Sequence, residues 1–177
     1  MKIKIAFLCQ FASIFFVAFA SFHCSPKSQT SENTNIIASP RTEMFASFSD
    51  FEPLLHQQDD KLHIINFWAT WCKPCVAELP YFEAIHKKYE NKNVEVLLVS
   101  LDDGKKLETQ VIPFLQKKQI RAKSVLLDDA DYNAWINKVS PQWSGAIPAT
   151  YIYKGEKSAF YEQEFTLEQL ETIIKNF

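Results

Sequence analysis

Glycine is nearly missing from this chain, with three in 177 residues alongside eight prolines. That scarcity excludes a collagen-like or low-complexity polymer. No basic patch with interleaved aromatics occurs and the formal net charge is −2, so nucleic-acid binding has no support. No internal repeat is visible. Four cysteines, only one close pair among them, are too few for a disulfide-dense scaffold. What is present is bulk: 47% hydrophobic residues, including fifteen Phe, six Tyr and four Trp. That fits one compact domain with a substantial core plus extensions at its ends.

The chain opens MKIKIAFLCQFASIFFVAFASFHCSPKSQ. Lys2 and Lys4 precede an apolar stretch from Ile5 to Phe22, and a Ser-rich polar segment follows. The pattern reads as an export signal rather than a core helix. The stretch is also near the lower limit for a bilayer span, about 17–25 residues. Three outcomes stay open: cleavage by signal peptidase, retention as an anchor, or cleavage before Cys24 with acylation of that cysteine. The third resembles a bacterial lipoprotein signal, with His23 where a small residue is usual. Residues 1–24 are thus expected to be an export or lipoprotein signal or anchor, and 25–41 a flexible linker. SPKSQTSENTNIIASP is polar and aperiodic, with too little apolar surface to repay its ordering entropy. The folded domain is expected over 42–177, outside the cytoplasm and associated with a membrane, in a periplasm or on an outer cell surface.

Within that domain, EMFASFSDFEPLLHQ suggests a short strand and then helical turns capped by Ser49 or Asp50. LHIINFW is a continuous apolar run of strand length, the mark of a central strand covered on both faces. A helix is predicted from near Cys72 to Tyr89, kinked at Pro80. VEVLLVSLD is a second core strand; an interrupted helix around Pro113, a short strand at SVLLDD and a short helix at DYNAWINKV follow. ATYIYKGEKSAFYEQEF reads as a hairpin turning at Lys154–Lys157. TLEQLETIIKNF reads as a helix with Thr166 as cap, Gln169 completing a capping box, and an apolar stripe of Leu167, Leu170, Ile173 and Ile174. Early β-α-β units imply parallel pairing through right-handed crossovers, and the late hairpin adds antiparallel strands. The expected fold class is α/β, a central mixed sheet flanked by helices.

NFWATWCKPCVAELP carries the chemistry. Structural zinc needs four ligands where one C-x-x-C supplies two, and His56, His63 and His86 lack ligand spacing. No metal and no cofactor is expected. A two-residue gap closes too short a loop to constrain the unfolded chain much, which disfavours a purely structural disulfide. Redox exchange remains. A thiolate at a helix start is favoured by free amides and the helix dipole. Cys72 is expected there as the more exposed, attacking thiol, with Cys75 one turn inward as the resolving thiol.

NFWATWCKPC together with GAIPATYIYKG resembles the thioredoxin-like superfamily, specifically the TlpA/ResA-like extracytoplasmic thiol-disulfide oxidoreductases. The likeness runs from about Met44 to Phe177 and implies a thioredoxin-like three-layer fold. It implies a cis-proline at Pro148 facing the cysteines, with Ile147 helping to hold a substrate strand; a strand-entry proline is the plainer alternative. It also implies a role for Glu78 in thiol reactivity, against an ordinary exposed helix glutamate. The buried strand aspartate of cytoplasmic thioredoxin corresponds here to Asn66, which cannot act as a general base. Trp71 matches the family tryptophan beside the nucleophile and is expected to shape a contact surface, while Trp68 is expected in the core. Pro74 suits a first helical turn. Lys73 either favours the Cys72 thiolate or is a solvated side chain. Trp143 either lines the substrate edge across from Trp71 or anchors a loop.

The function this implies is an exported or membrane-tethered thiol-disulfide oxidoreductase that reduces disulfides in cysteine-containing substrate proteins. A reductase in an oxidising compartment needs a membrane-associated electron donor. The alternatives are a disulfide oxidase or isomerase with the same chemistry, or a non-catalytic binding module that keeps the fold. A peroxiredoxin reading is weaker, because its peroxidatic cysteine has another setting and no distant second cysteine is available.

Overall fold

The computed structural model describes residues 42–177. The expectations for the export signal, the linker and acylation of Cys24 lie outside the described residues. The strand β2 (Leu62–Trp68) is buried at all seven positions, as its unbroken apolar run predicts. Its side chains alternate between two cores. Leu62, Ile64 and Trp68 enter one, with Leu79, Phe82 and Ile85. Ile65 and Phe67 enter the other, with Phe48, Phe51, Trp135 and Trp143.

Around β2 the sheet has six strands. These are β1 (Glu43–Phe45), β3 (Val94–Ser100), β4 (Lys123–Leu127), β5 (Ala149–Lys154) and β6 (Lys157–Tyr161), in the order β1-β4-β3-β2-β5-β6. The β1–β4, β4–β3 and β3–β2 pairs are parallel; β2–β5 and β5–β6 are antiparallel. This is the expected mixed sheet. Helices α2 (Lys73–Tyr89), α3 (Ile112–Lys117) and α5 (Leu167–Asn176) contribute to the first core, and α1 (Phe48–Phe51) and α4 (Tyr132–Val139) to the second. The domain therefore has three layers. No helix among the described residues is long and apolar enough to cross a membrane.

Local departures from expectation have local causes. Helix α1 is capped by Ser47, not Ser49 or Asp50. Ser47 has the extended backbone a cap requires, and its hydroxyl accepts from the Asp50 amide. Helix α2 continues through Pro80 as one element from Lys73 to Tyr89. The segment around Pro113 divides into a 3-10 turn (Gly104–Lys106), a π turn (Leu107–Val111) and α3, with Pro113 in the first turn of α3, where a missing amide costs little. A Cβ at Gly104 would lie 2.4 Å from Asp128 Oδ2 and 2.9 Å from Met44 Sδ, so a larger residue there would displace the ends of those two exposed side chains.

Helix α5 begins as its sequence predicts. Thr166 accepts from the Gln169 amide while the Gln169 side chain accepts from the Thr166 amide, a complete capping box. Leu170 is buried, and Leu167, Ile173 and Ile174 pack partly against the first core. Thr166→Ala is expected to lower stability by about 1 kcal/mol, the usual cost of losing a hydroxyl cap. Urea unfolding monitored by circular dichroism measures it.

Candidate active site

Cys72 and Cys75 form a disulfide where β2 gives way to α2. Cys72 is the N-cap of α2, with extended backbone, and its Sγ accepts from the Cys75 amide at 3.3 Å. Pro74 stands in the first turn and has no amide to offer. Cys72 is 6% exposed and Cys75 fully buried, so the order of accessibility follows expectation by a narrow margin. Lys73 and Pro74 are exposed, and Trp71, 62% exposed, stands immediately before the cap.

The segment before β5 faces this cap. The Ile147–Pro148 bond is cis, the isomer the resemblance implied. The Ile147 carbonyl oxygen lies 3.7 Å from Cys72 Sγ. Ile147 is half-buried and Pro148 buried. Trp143 is placed differently from a substrate edge. It is 3% exposed, packs against Phe67, Trp135 and Phe160, and donates its indole N–H to the Ala146 carbonyl at 2.8 Å. It supports the cis-proline segment from beneath; its large ring finds more contact in the second core than at the surface. The same segment is pinned from outside, where the Ser144 amide and hydroxyl both donate to the Glu162 carboxylate.

Glu78 is fully buried, one helical turn beyond Cys75. Its Oε1 accepts from Asn66 Nδ2 at 2.8 Å and its Oε2 from the Phe165 amide at 2.7 Å. Asn66 Nδ2 also donates to Thr150 Oγ1 at 3.1 Å, across the β2–β5 register that pairs these residues. Burial pushes the Glu78 carboxyl up to about 7, against the lowering pull of its two donors; the nearby Glu164 charge adds to the rise. One turn beyond Cys75, α2 therefore carries a buried acid that titrates near neutrality.

Asp102, Thr70, Thr150, Phe165 and Glu162 were not singled out from the sequence. For Asp102 a signal existed. It ends the apolar run VEVLLVSLD, just past the carboxyl end of β3, and the carboxyl ends of parallel strands are where sites gather in open α/β sheets. Among the described residues no cluster of three or more His, Cys, Asp or Glu side chains is arranged to hold a metal ion.

Comparison with known proteins places this geometry. A sequence model of the AhpC/TSA family matches residues 49–158. The chain is 32% identical over 122 residues to thiol-disulfide oxidoreductase ResA of Oceanobacillus iheyensis, covering 64% of this chain and 55% of that protein. It is 36% identical over 98 residues to thioredoxin-like protein YneN of Bacillus subtilis, covering 55% of this chain and 53% of that one. The chain thus spans about half the length of these curated relatives. Among solved structures, a thioredoxin-related protein from Neisseria meningitidis serogroup B superposes with a TM-score of 0.58 at 20% identity, over 68% of this chain and 87% of that one. A DsbF homologue from Corynebacterium diphtheriae gives 0.56 at 21%, over 67% and 73%. At such identities the likeness speaks for the fold alone, and the fold is thioredoxin-like.

The state of Glu78 generates a pH prediction. Its carboxyl titrates at about 7 in the folded protein, against an ordinary 4.5. Between those values the folded state keeps a proton that the unfolded chain has released. Stability contributed by this group is fully present below about 4.5 and is lost as pH rises toward about 7. In urea unfolding of the oxidised protein, raising the pH from 5 to 8 is expected to cost wild type about 2–3 kcal/mol more than Glu78→Gln. Equal pH slopes in the two proteins would remove Glu78 as the source.

Proposed function

The chain belongs to the AhpC/TSA family, and on that footing we propose that it is an exported thiol-disulfide oxidoreductase that reduces protein disulfides through Cys72 and Cys75. The observation that carries this reading is the Cys72–Cys75 disulfide at the start of α2, facing the cis Ile147–Pro148 segment. The names of the curated relatives, ResA and a thioredoxin-like protein, support it.

In the reduced domain the Cys72 thiolate attacks a substrate disulfide. A bond forms between Cys72 Sγ and one substrate sulfur, the substrate's own S–S bond breaks, and the other sulfur leaves as a thiolate that takes up a proton. Cys75, its proton accepted by Glu78 or water, then attacks Cys72 Sγ. The mixed disulfide breaks and the second substrate thiol leaves. Two electrons and two protons have passed to the substrate, and the domain holds the Cys72–Cys75 disulfide. The helix start and Lys73 favour the Cys72 thiolate. Trp71, Lys73 and Pro74 form the rim a substrate meets, and Ile147, before cis-Pro148, offers backbone to an extended substrate segment.

A membrane-associated electron donor restores the dithiol, and a tether through the N-terminal segment, by acylated Cys24 or a retained apolar stretch, keeps the domain near that donor. Radioactive fatty acid is expected to label the chain and not Cys24→Ala. Lys73 favours a second reading, an oxidase or isomerase, because a cation beside the thiolate stabilises the dithiol form. The reduction potential separates the two: near thioredoxin's, about −270 mV, for a reductase, and near about −120 mV for a strong oxidant.

The reduced chain is expected to reduce insulin, and Cys72→Ser to abolish this. Cys75→Ala is expected to accumulate substrate proteins as mixed disulfides on Cys72, visible as dithiothreitol-sensitive bands. No trapped partner and no insulin reduction would leave a binding module.

A further inference from the structure

Three residues, Ala69–Trp71, join β2 to the cap cysteine, and a buried carboxylate two residues past the end of β3 holds them. Asp102 is 2% exposed. Its Oδ2 accepts from the Thr70 amide at 2.9 Å and its Oδ1 from the Thr70 hydroxyl at 2.6 Å. The Ser100 hydroxyl donates to Oδ2 at 2.8 Å, steadying the carboxylate, and Gln110 Nε2 donates to Thr70 Oγ1 at 2.6 Å. Backbone bonds from Leu101 N to the Trp68 carbonyl and from Cys72 N to the Ala69 carbonyl close the turn on either side.

We propose that Asp102 is a positioning residue, whose carboxylate acts through Thr70 to fix the turn that presents Trp71 and Cys72 to a substrate disulfide. The inference rests on the oxidoreductase reading given above for its consequence in catalysis, and on the geometry alone for the grip.

The chemistry of the grip requires an acceptor at two points. Thr70 offers two donors side by side, and a carboxylate meets both with acceptor oxygens. Hydrogen bonds to an ionised acceptor are about twice as strong as neutral ones. Loss of the Thr70 hydroxyl leaves the buried Asp102 Oδ1 without this donor. The grip also matters where it acts. Trp71 is largely exposed, so little packing restrains its indole, and the conformation of its backbone is set by the residue before it. The attacking sulfur follows one residue later. Small misplacement at a reacting centre costs rate steeply.

The test uses Thr70→Val, which removes the hydroxyl and keeps the shape, Thr70→Ser as conservative rescue, and Asp102→Ala. All are made in the full chain. Two readouts are taken. One is kcat/KM for insulin reduction. The other is the fast component of fluorescence anisotropy decay from acrylamide-quenchable tryptophan, which reports Trp71 because Trp68, Trp135 and Trp143 are buried; Trp71→Phe serves as control. Thr70→Val and Asp102→Ala are expected to lower kcat/KM at least five-fold, chiefly through kcat, and to enlarge the fast component. Thr70→Ser is expected to stay within two-fold of wild type on both. Should Asp102→Ala not fold, Thr70→Val decides. A folded Thr70→Val with kcat/KM within two-fold and unchanged Trp71 motion overturns the proposal. If wild type itself reduces no insulin, the oxidoreductase reading fails, and the anisotropy still decides whether Asp102 and Thr70 hold the turn.

Discussion

The register of β2 against its two neighbours is the constraint on which the site depends. Against β3 it pairs Trp68 with Ser100, so that two residues further on Thr70 meets Asp102. Against β5 it pairs Asn66 with Thr150 and Phe67 with Ala149, which brings the cis-proline segment up to the cysteines. A slip of one residue would exchange the faces of β2, placing Asn66 in the second core and Phe67 against α2. That slip would strip Asn66 of its bonds to Glu78 and Thr150 and bury its amide among apolar side chains, which makes it costly. The one polar residue on the inner face of β2 thus helps to align three chain segments that are far apart in sequence.

The same strand explains how a carboxyl group persists in the first core. Glu78 faces β2 at Asn66, the one polar residue on that side of the strand. Asn66 supplies a donor, Phe165 supplies another, and burial opposes them. Had the donors prevailed, the group would be a fixed anion that repelled a Cys75 thiolate. Had burial met no donors, it would hold its proton well above neutrality. Burial outweighs the donors without cancelling them, which leaves a carboxyl able to exchange a proton in the range where thiols react. Asn66, which has no titratable proton, is therefore part of how Glu78 is tuned.

Much of this was legible in the sequence where the cause is local. The continuous apolar run of β2 marked a strand buried on both faces, and Thr166 with Gln169 marked the start of α5. The C-x-x-C pair between strand and helix marked the place where the disulfide stands. The hairpin turn at Lys154–Lys157 follows from Gly155, whose φ of +56° suits glycine. What escaped depends on long-range register. Asp102 and Thr70 are 32 residues apart, and Ser144 and Glu162 are 18 apart. No periodicity in either segment announces such a partner. Trp143 was ambiguous for a related reason. A loop tryptophan has no alternation to fix its direction, and only the second core, with Phe67 and Trp135 in place, decides that it turns inward.

Two loops bracket the disulfide, and each is fastened by one carboxylate gripping an amide and a hydroxyl of a single residue: Asp102 on Thr70, and Glu162 on Ser144. The two fastenings differ in setting. Asp102 is buried and shielded from salt, while the Glu162 pair is exposed and weakened by water and ions. The fastening shielded from water therefore lies on the Cys72 side, and the exposed fastening lies on the Ile147 side. That asymmetry suits thiol-disulfide exchange with proteins. In the proposed exchange the Cys72 sulfur must meet the substrate's S–S axis in one alignment, whereas a segment docking on Ile147 and Pro148 would vary from one protein to the next. A site rigid on both sides would narrow the substrates it admits, and one loose on both would lose the alignment the displacement requires.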